Sequence, residues 1–80
     1  MPAASKAVIR DCVVYANGAG PALAPLGEYE ITRLSEAEIA FSRPAPECAF
    51  KLSVDAILQH LCEGRMRLVG GDRLPPMRKA

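Results

Sequence analysis

Residues 50–71, FKLSVDAILQHLCEGRMRLVGG, constrain the fold more than any other stretch, because in them a capped amphipathic helix runs through a glycine stop into a short strand. Ser53 carries the hydroxyl of a good N-cap, and Asp55 puts negative charge in the first turn, where the helix dipole favours it. Val54, Ile57, Leu58 and Leu61 recur at helical spacing as one apolar stripe, with Asp55, Gln59 and Glu63 opposite. Gly64 supplies the left-handed residue that ends the helix. Met66 and Leu68 then alternate with Arg65 and Arg67 up to Gly70 and Gly71, the pattern of a strand. A helix with a single apolar stripe needs a surface to cover it, so the remaining residues are expected to form a sheet.

Three further stretches bear on that sheet. Residues 7–16, AVIRDCVVYA, are rich in β-branched side chains and lead to Asn17 and Gly18, a turn dipeptide. They read as a strand with Ile9, Val13 and Tyr15 on one face and Val8, Arg10, Cys12 and Val14 on the other. Residues 28–33, EYEITR, alternate strictly and predict a strand with one wet face. Residues 35–42 fit two readings: Ser35 and Glu38 match a helix capping box, whereas Ala37, Ile39 and Phe41 alternate as in a strand. The strand is preferred, paired as a hairpin with residues 28–33, because Arg43 and Pro44 leave no room for a long helix. Residues 18–27, GAGPALAPLG, read as a loop that packs Leu23 and Leu26 on the domain, and residues 43–48, RPAPEC, as a proline-bounded connection.

The predicted fold class is therefore α+β: a small, mainly antiparallel β-ββ-α-β sheet with one amphipathic helix across one face. Eighty residues allow one such domain, expected over residues 1–71, followed by a mobile basic tail over residues 72–80. Half of the residues are hydrophobic, but only two Phe, two Tyr and no Trp are among them, so the core relies on small side chains. At about 25 cal/mol per Å² of buried apolar area against about 1.5 kcal/mol of ordering entropy per residue, such a core barely offsets its cost. A second copy or a partner is expected to help.

The formal net charge is +1, but its distribution is uneven. Up to Glu63 the chain has five basic and eight acidic residues; beyond it Arg65, Arg67, Arg73, Arg78 and Lys79 face Asp72 alone. These five cations are the candidate site for an anionic partner. Paired with nucleic acid they would neutralise phosphates, yet no aromatic residue is interleaved to stack a base. Locally, Arg65 and Arg67 would equally suit cross-strand pairing with Glu28, Glu30, Glu36 and Glu38.

Catalytic and metal chemistry find little support in the spacing. Cys12, Cys48, Cys62 and His60 are nominal zinc ligands, but there is no CxxC pair, and His60 and Cys62 on one helix project about 200° apart. The three cysteines read as free thiols in a reducing cytoplasm, and MPAASKAV holds no apolar signal core. No window approaches the ~20 apolar residues of a membrane helix. The glutamate pairs suit an outward charged face better than an acid/base cleft, and His60 reads as a packing residue on the helix flank. No catalytic residue, metal or cofactor is expected. The functional expectation is a small non-enzymatic accessory protein that acts through protein–protein contacts as a homodimer, with nucleic-acid binding through the basic C-terminal region as the alternative.

Overall fold

The computed structural model describes residues 3–45, 47–71 and 73–75. Its strands are β1 (Lys6–Ile9), β2 (Val14–Asn17), β3 (Gly20–Leu23), β4 (Gly27–Arg33), β5 (Glu38–Pro44), β6 (Glu47–Ser53) and β7 (Met66–Val69), with one helix, α1 (Val54–Cys62), between β6 and β7. Five strands form an antiparallel sheet in the order β6-β5-β4-β1-β7, and β2 and β3 form a separate two-stranded hairpin. The α+β class is what the alternation and the capped helix predict. The structure has more strands than predicted, and each extra one has a physical reason.

The stretch 7–16 is two strands rather than one. Arg10 and Asp11 both donate their backbone N–H to the Arg65 carbonyl, at 2.8 and 3.3 Å, and Asp11 Oδ1 accepts from the Cys12 N–H at 2.7 Å. This local turn takes the chain off the sheet, and β2 then pairs with β3, in which Pro21 sits opposite Ala16. A proline is tolerated there because β3 has a partner on one side only. The glycine- and proline-rich residues 18–27 are thus half of a hairpin, closed by Gly20 at φ 123° and by the Ala24 N–H donating to the Val13 carbonyl at 2.8 Å. Leu23 and Leu26 do not pack inward: both are 62% exposed, while Ala24 is buried.

The connection expected at residues 43–48 is mostly strand. Cys48, Phe50 and Leu52 turn inward while Glu47, Ala49, Lys51 and Ser53 turn out, so β6 has a clear period of two. Pro44 ends β5 opposite Glu47 and lies beyond the β4–β5 ladder, which stops at Ser42, so its missing N–H breaks no bond there. In the β4–β5 hairpin, Ser35 caps no helix; its Oγ accepts from the Ala37 N–H at 3.2 Å within the turn.

One face of the sheet carries the core: Ala7, Ile9, Tyr29, Ile31, Ile39, Phe41, Phe50, Leu52 and Met66 are all buried. Each of the larger side chains contributes about 1.5–3 kcal/mol on leaving water. All four aromatic residues of the chain gather here. Phe50 stacks on Tyr15 at 4.5 Å and on Phe41 at 5.1 Å between centroids, and meets Tyr29 edge-on at 5.3 Å. Tyr15 thereby seats the β2–β3 hairpin under β6.

The helix covers the rest of that face as it crosses from β6 at one edge to β7 at the other. Ser53 caps it with Oγ accepting from the Ala56 N–H at 3.1 Å. Its C-terminus closes in a Schellman motif: the Gly64 N–H donates to the Leu61 carbonyl at 3.3 Å and the Arg65 N–H to the His60 carbonyl at 2.9 Å, with Gly64 at φ 80°. Ile57 is the fully buried anchor, Val54 and Leu61 are half-buried, and Leu58, expected in the stripe, is 51% exposed. Leu58 follows Ile57 by about 100° around the helix axis, which puts it at the margin of the stripe and away from the sheet.

Of the stretch expected as a basic tail, residues 73–75 lie against the domain. Ala4 donates to the Arg73 carbonyl at 2.7 Å, Leu74 packs half-buried on the core, and the Pro75 carbonyl accepts from Arg33 Nε at 2.8 Å. Asp72 and residues 76–80 lie outside the described residues.

Candidate functional site

Helix and hairpin share one face of the five-stranded sheet, which leaves its other face open. Alternation assigns to that face Lys6 and Val8 of β1, with Arg10 just past its end, Glu28, Glu30 and Thr32 of β4, and Arg67 and Val69 of β7. Charge is zoned across it. Towards β4 and β5, acids meet lysines: Lys6 Nζ lies 3.5 Å from Glu28 Oε1 and Lys51 Nζ 3.8 Å from Glu38 Oε2. These pairs are solvated and each is worth less than about 1 kcal/mol.

Towards β7 the charge is positive. Arg67 sits opposite Val8, and Arg10, the residue just past the end of β1, lies along the same cleft. Both side chains are exposed, and neither guanidinium has a hydrogen-bond or ion-pair partner among the described residues. Together with Val8, Val69 and the Gly70 and Gly71 backbone they line an open cleft of about 500 Å³. Two neighbouring arginines without a carboxylate between them repel each other, and a bound anion relieves that repulsion.

The five candidate cations divide. Arg67 is in the cleft. Arg65 is not: Nε donates to His60 Nδ1 at 2.9 Å and its guanidinium pairs with Glu63, so it is drawn back onto the helix end. Arg73 is exposed, with its carbonyl held by Ala4. Arg78 and Lys79 lie outside the described residues. The pairing of Arg65 and Arg67 with the glutamate face does not form, because β1 lies between β7 and β4. Arg10 was not among the candidates. Its signal was its place with Val8 on the polar side of residues 7–16, but only the β1–β7 pairing brings it to Arg67.

His60 lies half-buried in the last turn of α1. Burial first, and then the Arg65 charge, hold its pKa below the ordinary value, with Glu63 opposing them. Since Nδ1 accepts from Arg65, the neutral ring carries its proton on Nε2. Glu63 in turn accepts from Gln59 Nε2 at 3.0 Å and pairs with Arg65, and these contacts hold its carboxyl below the usual range.

Tyr29 is the other perturbed group. Burial, reinforced by Cys48, pushes its hydroxyl up to about 12. The hydroxyl donates to the Pro25 carbonyl at 2.6 Å, and Arg43 stacks over the ring with 4.9 Å to the centroid. Cys12 and Cys62 are exposed and Cys48 half-buried. Among the described residues no three His, Cys, Asp or Glu side chains gather closely enough to hold a metal ion, and no helix is long and apolar enough to cross a membrane.

No protein-family model, curated protein or solved structure matches this chain.

Proposed function

We propose that the protein is a non-enzymatic binding module that holds an anionic surface of a partner protein at the β1–β7 side of its open sheet face. The observation that carries this reading is the adjacency of Arg10 and Arg67, two unpaired guanidiniums on one cleft beside an edge strand. Geometry of this kind suits bidentate recognition of carboxylates.

A protein partner is favoured over nucleic acid by the aromatic residues. All four rings belong to the cluster on the covered face, so none is offered to a base on the open one. Glu28, Glu30 and Glu38 on that same open face would also repel a phosphate backbone.

The homodimer belongs to the same proposal and has its own supporting surface. Val14 and Leu23 are cross-strand partners in the hairpin, 52% and 62% exposed, and Leu26 shares a cleft of about 320 Å³ with Leu23. A second copy packed there shelters these side chains and leaves the β7 edge free.

The test is affinity capture with the native protein as bait, with and without nuclease, followed by mass spectrometry. Recovery of a protein partner that survives nuclease supports the reading. Capture that disappears with nuclease would transfer it to nucleic acid.

A further inference from the structure

We infer that the outer edge of β7 receives an extended segment of the partner as a sixth strand, and that this segment carries acidic side chains at alternate positions. This inference rests on the protein-binding reading above and specifies how the partner is held.

The backbone provides the first half of the argument. β7 ends the sheet, and among the described residues it pairs with β1 alone. Ile31 donates its N–H to the Ser5 carbonyl at 3.0 Å, so Ser5, Ala7 and Ile9 turn their backbone groups towards β4, and Lys6 and Val8 turn theirs towards β7, opposite Val69 and Arg67. Arg67 and Val69 thus bond inward to β1, so Met66 and Leu68 direct their N–H and C=O groups outward. A peptide strand satisfies such a row of groups directly.

Side chains provide the second half. An added strand places every other residue on the open face beside Arg67 and within reach of Arg10, where a carboxylate meets two unpaired guanidiniums. Its intervening residues fall on the covered face beside the half-buried Leu68, where an apolar side chain fits. The motif is thus acidic–apolar–acidic.

The same arginines argue against self-pairing. A two-fold β7–β7 contact would bring Arg10 and Arg67 of both copies to one seam, and like charges opposed across a ladder destabilise it. After β7, Gly70 turns the chain at φ 89°.

The experiment uses a short synthetic peptide that alternates Glu with Val, the same peptide N-methylated on alternate amides, a version with Lys for Glu, and a single-stranded oligonucleotide. Binding is followed by calorimetry and by the backbone amide signals and exchange rates of Met66 and Leu68. The Glu peptide should bind and protect both amides, and N-methylation of the edge-facing amides should weaken it roughly tenfold or more. Arg67→Ala and Arg10→Ala should each weaken it about two- to fivefold, and the Lys peptide should not bind.

Equal affinity of the N-methylated peptide, or unprotected Met66 and Leu68 amides at millimolar peptide, would overturn strand addition while leaving the arginine cleft as a binding surface. Binding of the oligonucleotide but of neither peptide would overturn the protein-binding reading as well.

Discussion

Arg65 Nε donates to His60 Nδ1 across 2.9 Å, and this bond separates two arginines that the sequence presents as equivalent. Arg65 becomes part of the helix terminus, together with Glu63 and Gln59, while Arg67 two positions on, at the sheet edge, has no partner among the described residues. Burial of the His60 ring, and then the Arg65 charge beside it, also make stability depend on pH. His60 takes up a proton less readily folded than unfolded, so acidification favours the unfolded chain. The His60 contribution is fully present above the unfolded value of about 6.5 and is lost as pH falls below it. Denaturant melts between pH 7.5 and 5 should show this decline, and His60→Asn, whose Oδ1 still accepts from Arg65, should flatten it. An unchanged slope in the variant would show that the ring does not titrate against Arg65.

The helix caps give a second expectation. Ser53→Ala removes the acceptor of the Ala56 N–H and should cost about 1 kcal/mol. Gly64→Ala forces a methyl-bearing residue to φ 80° and should cost about 1–2 kcal/mol. The two sites share no hydrogen bond, so their effects should add in a double variant measured by urea unfolding.

Why the caps were legible and other elements were not follows from the range of the interactions involved. Ser53, Asp55 and Gly64 act on backbone groups within one turn, so their chemistry is written in adjacent letters. The β4–β5 hairpin was readable for a similar reason, since Tyr29 and Ile31 alternate with acids, and Ile39 and Phe41, the latter opposite Ile31, lie just beyond a short turn. β6 was hidden by Pro44 and Pro46, which read as loop residues although Cys48, Phe50 and Leu52 already alternate. The break between β1 and β2, and β3 itself, were hidden because the hairpin is held by the stack of Tyr15 on Phe50, a contact between distant segments. The cleft depends on such long-range pairing too: Arg10 meets Arg67 only because β7 returns to β1 after the helix has crossed the sheet.

Phe50 should be the most sensitive position in the core. It touches three other rings, and Phe50→Ala should cost about 3–5 kcal/mol. Tyr15→Ala, at a half-buried site, should cost less and should raise amide exchange selectively in residues 14–23. Uniform exchange across the whole chain would contradict the view that Tyr15 seats the hairpin.

Tyr29 offers a spectroscopic check on the interior. Its hydroxyl, pushed up to about 12 by burial, should ionise well after that of an unfolded tyrosine at about 10. The unfolded chain therefore loses its proton first as pH rises, and stability should fall above about pH 10. Tyr29→Phe removes the bond to the Pro25 carbonyl, should cost about 0.5–1.5 kcal/mol at neutral pH, and should blunt the alkaline decline.

The account turns on Arg10 and Arg67 acting together. The most direct measurement is quantitative capture of the partner by the native protein and by the double variant Arg10→Glu/Arg67→Glu, both treated with nuclease and both checked for an unchanged melting temperature. The account predicts that the variant folds normally and loses the partner. Equal capture by the folded variant would contradict it.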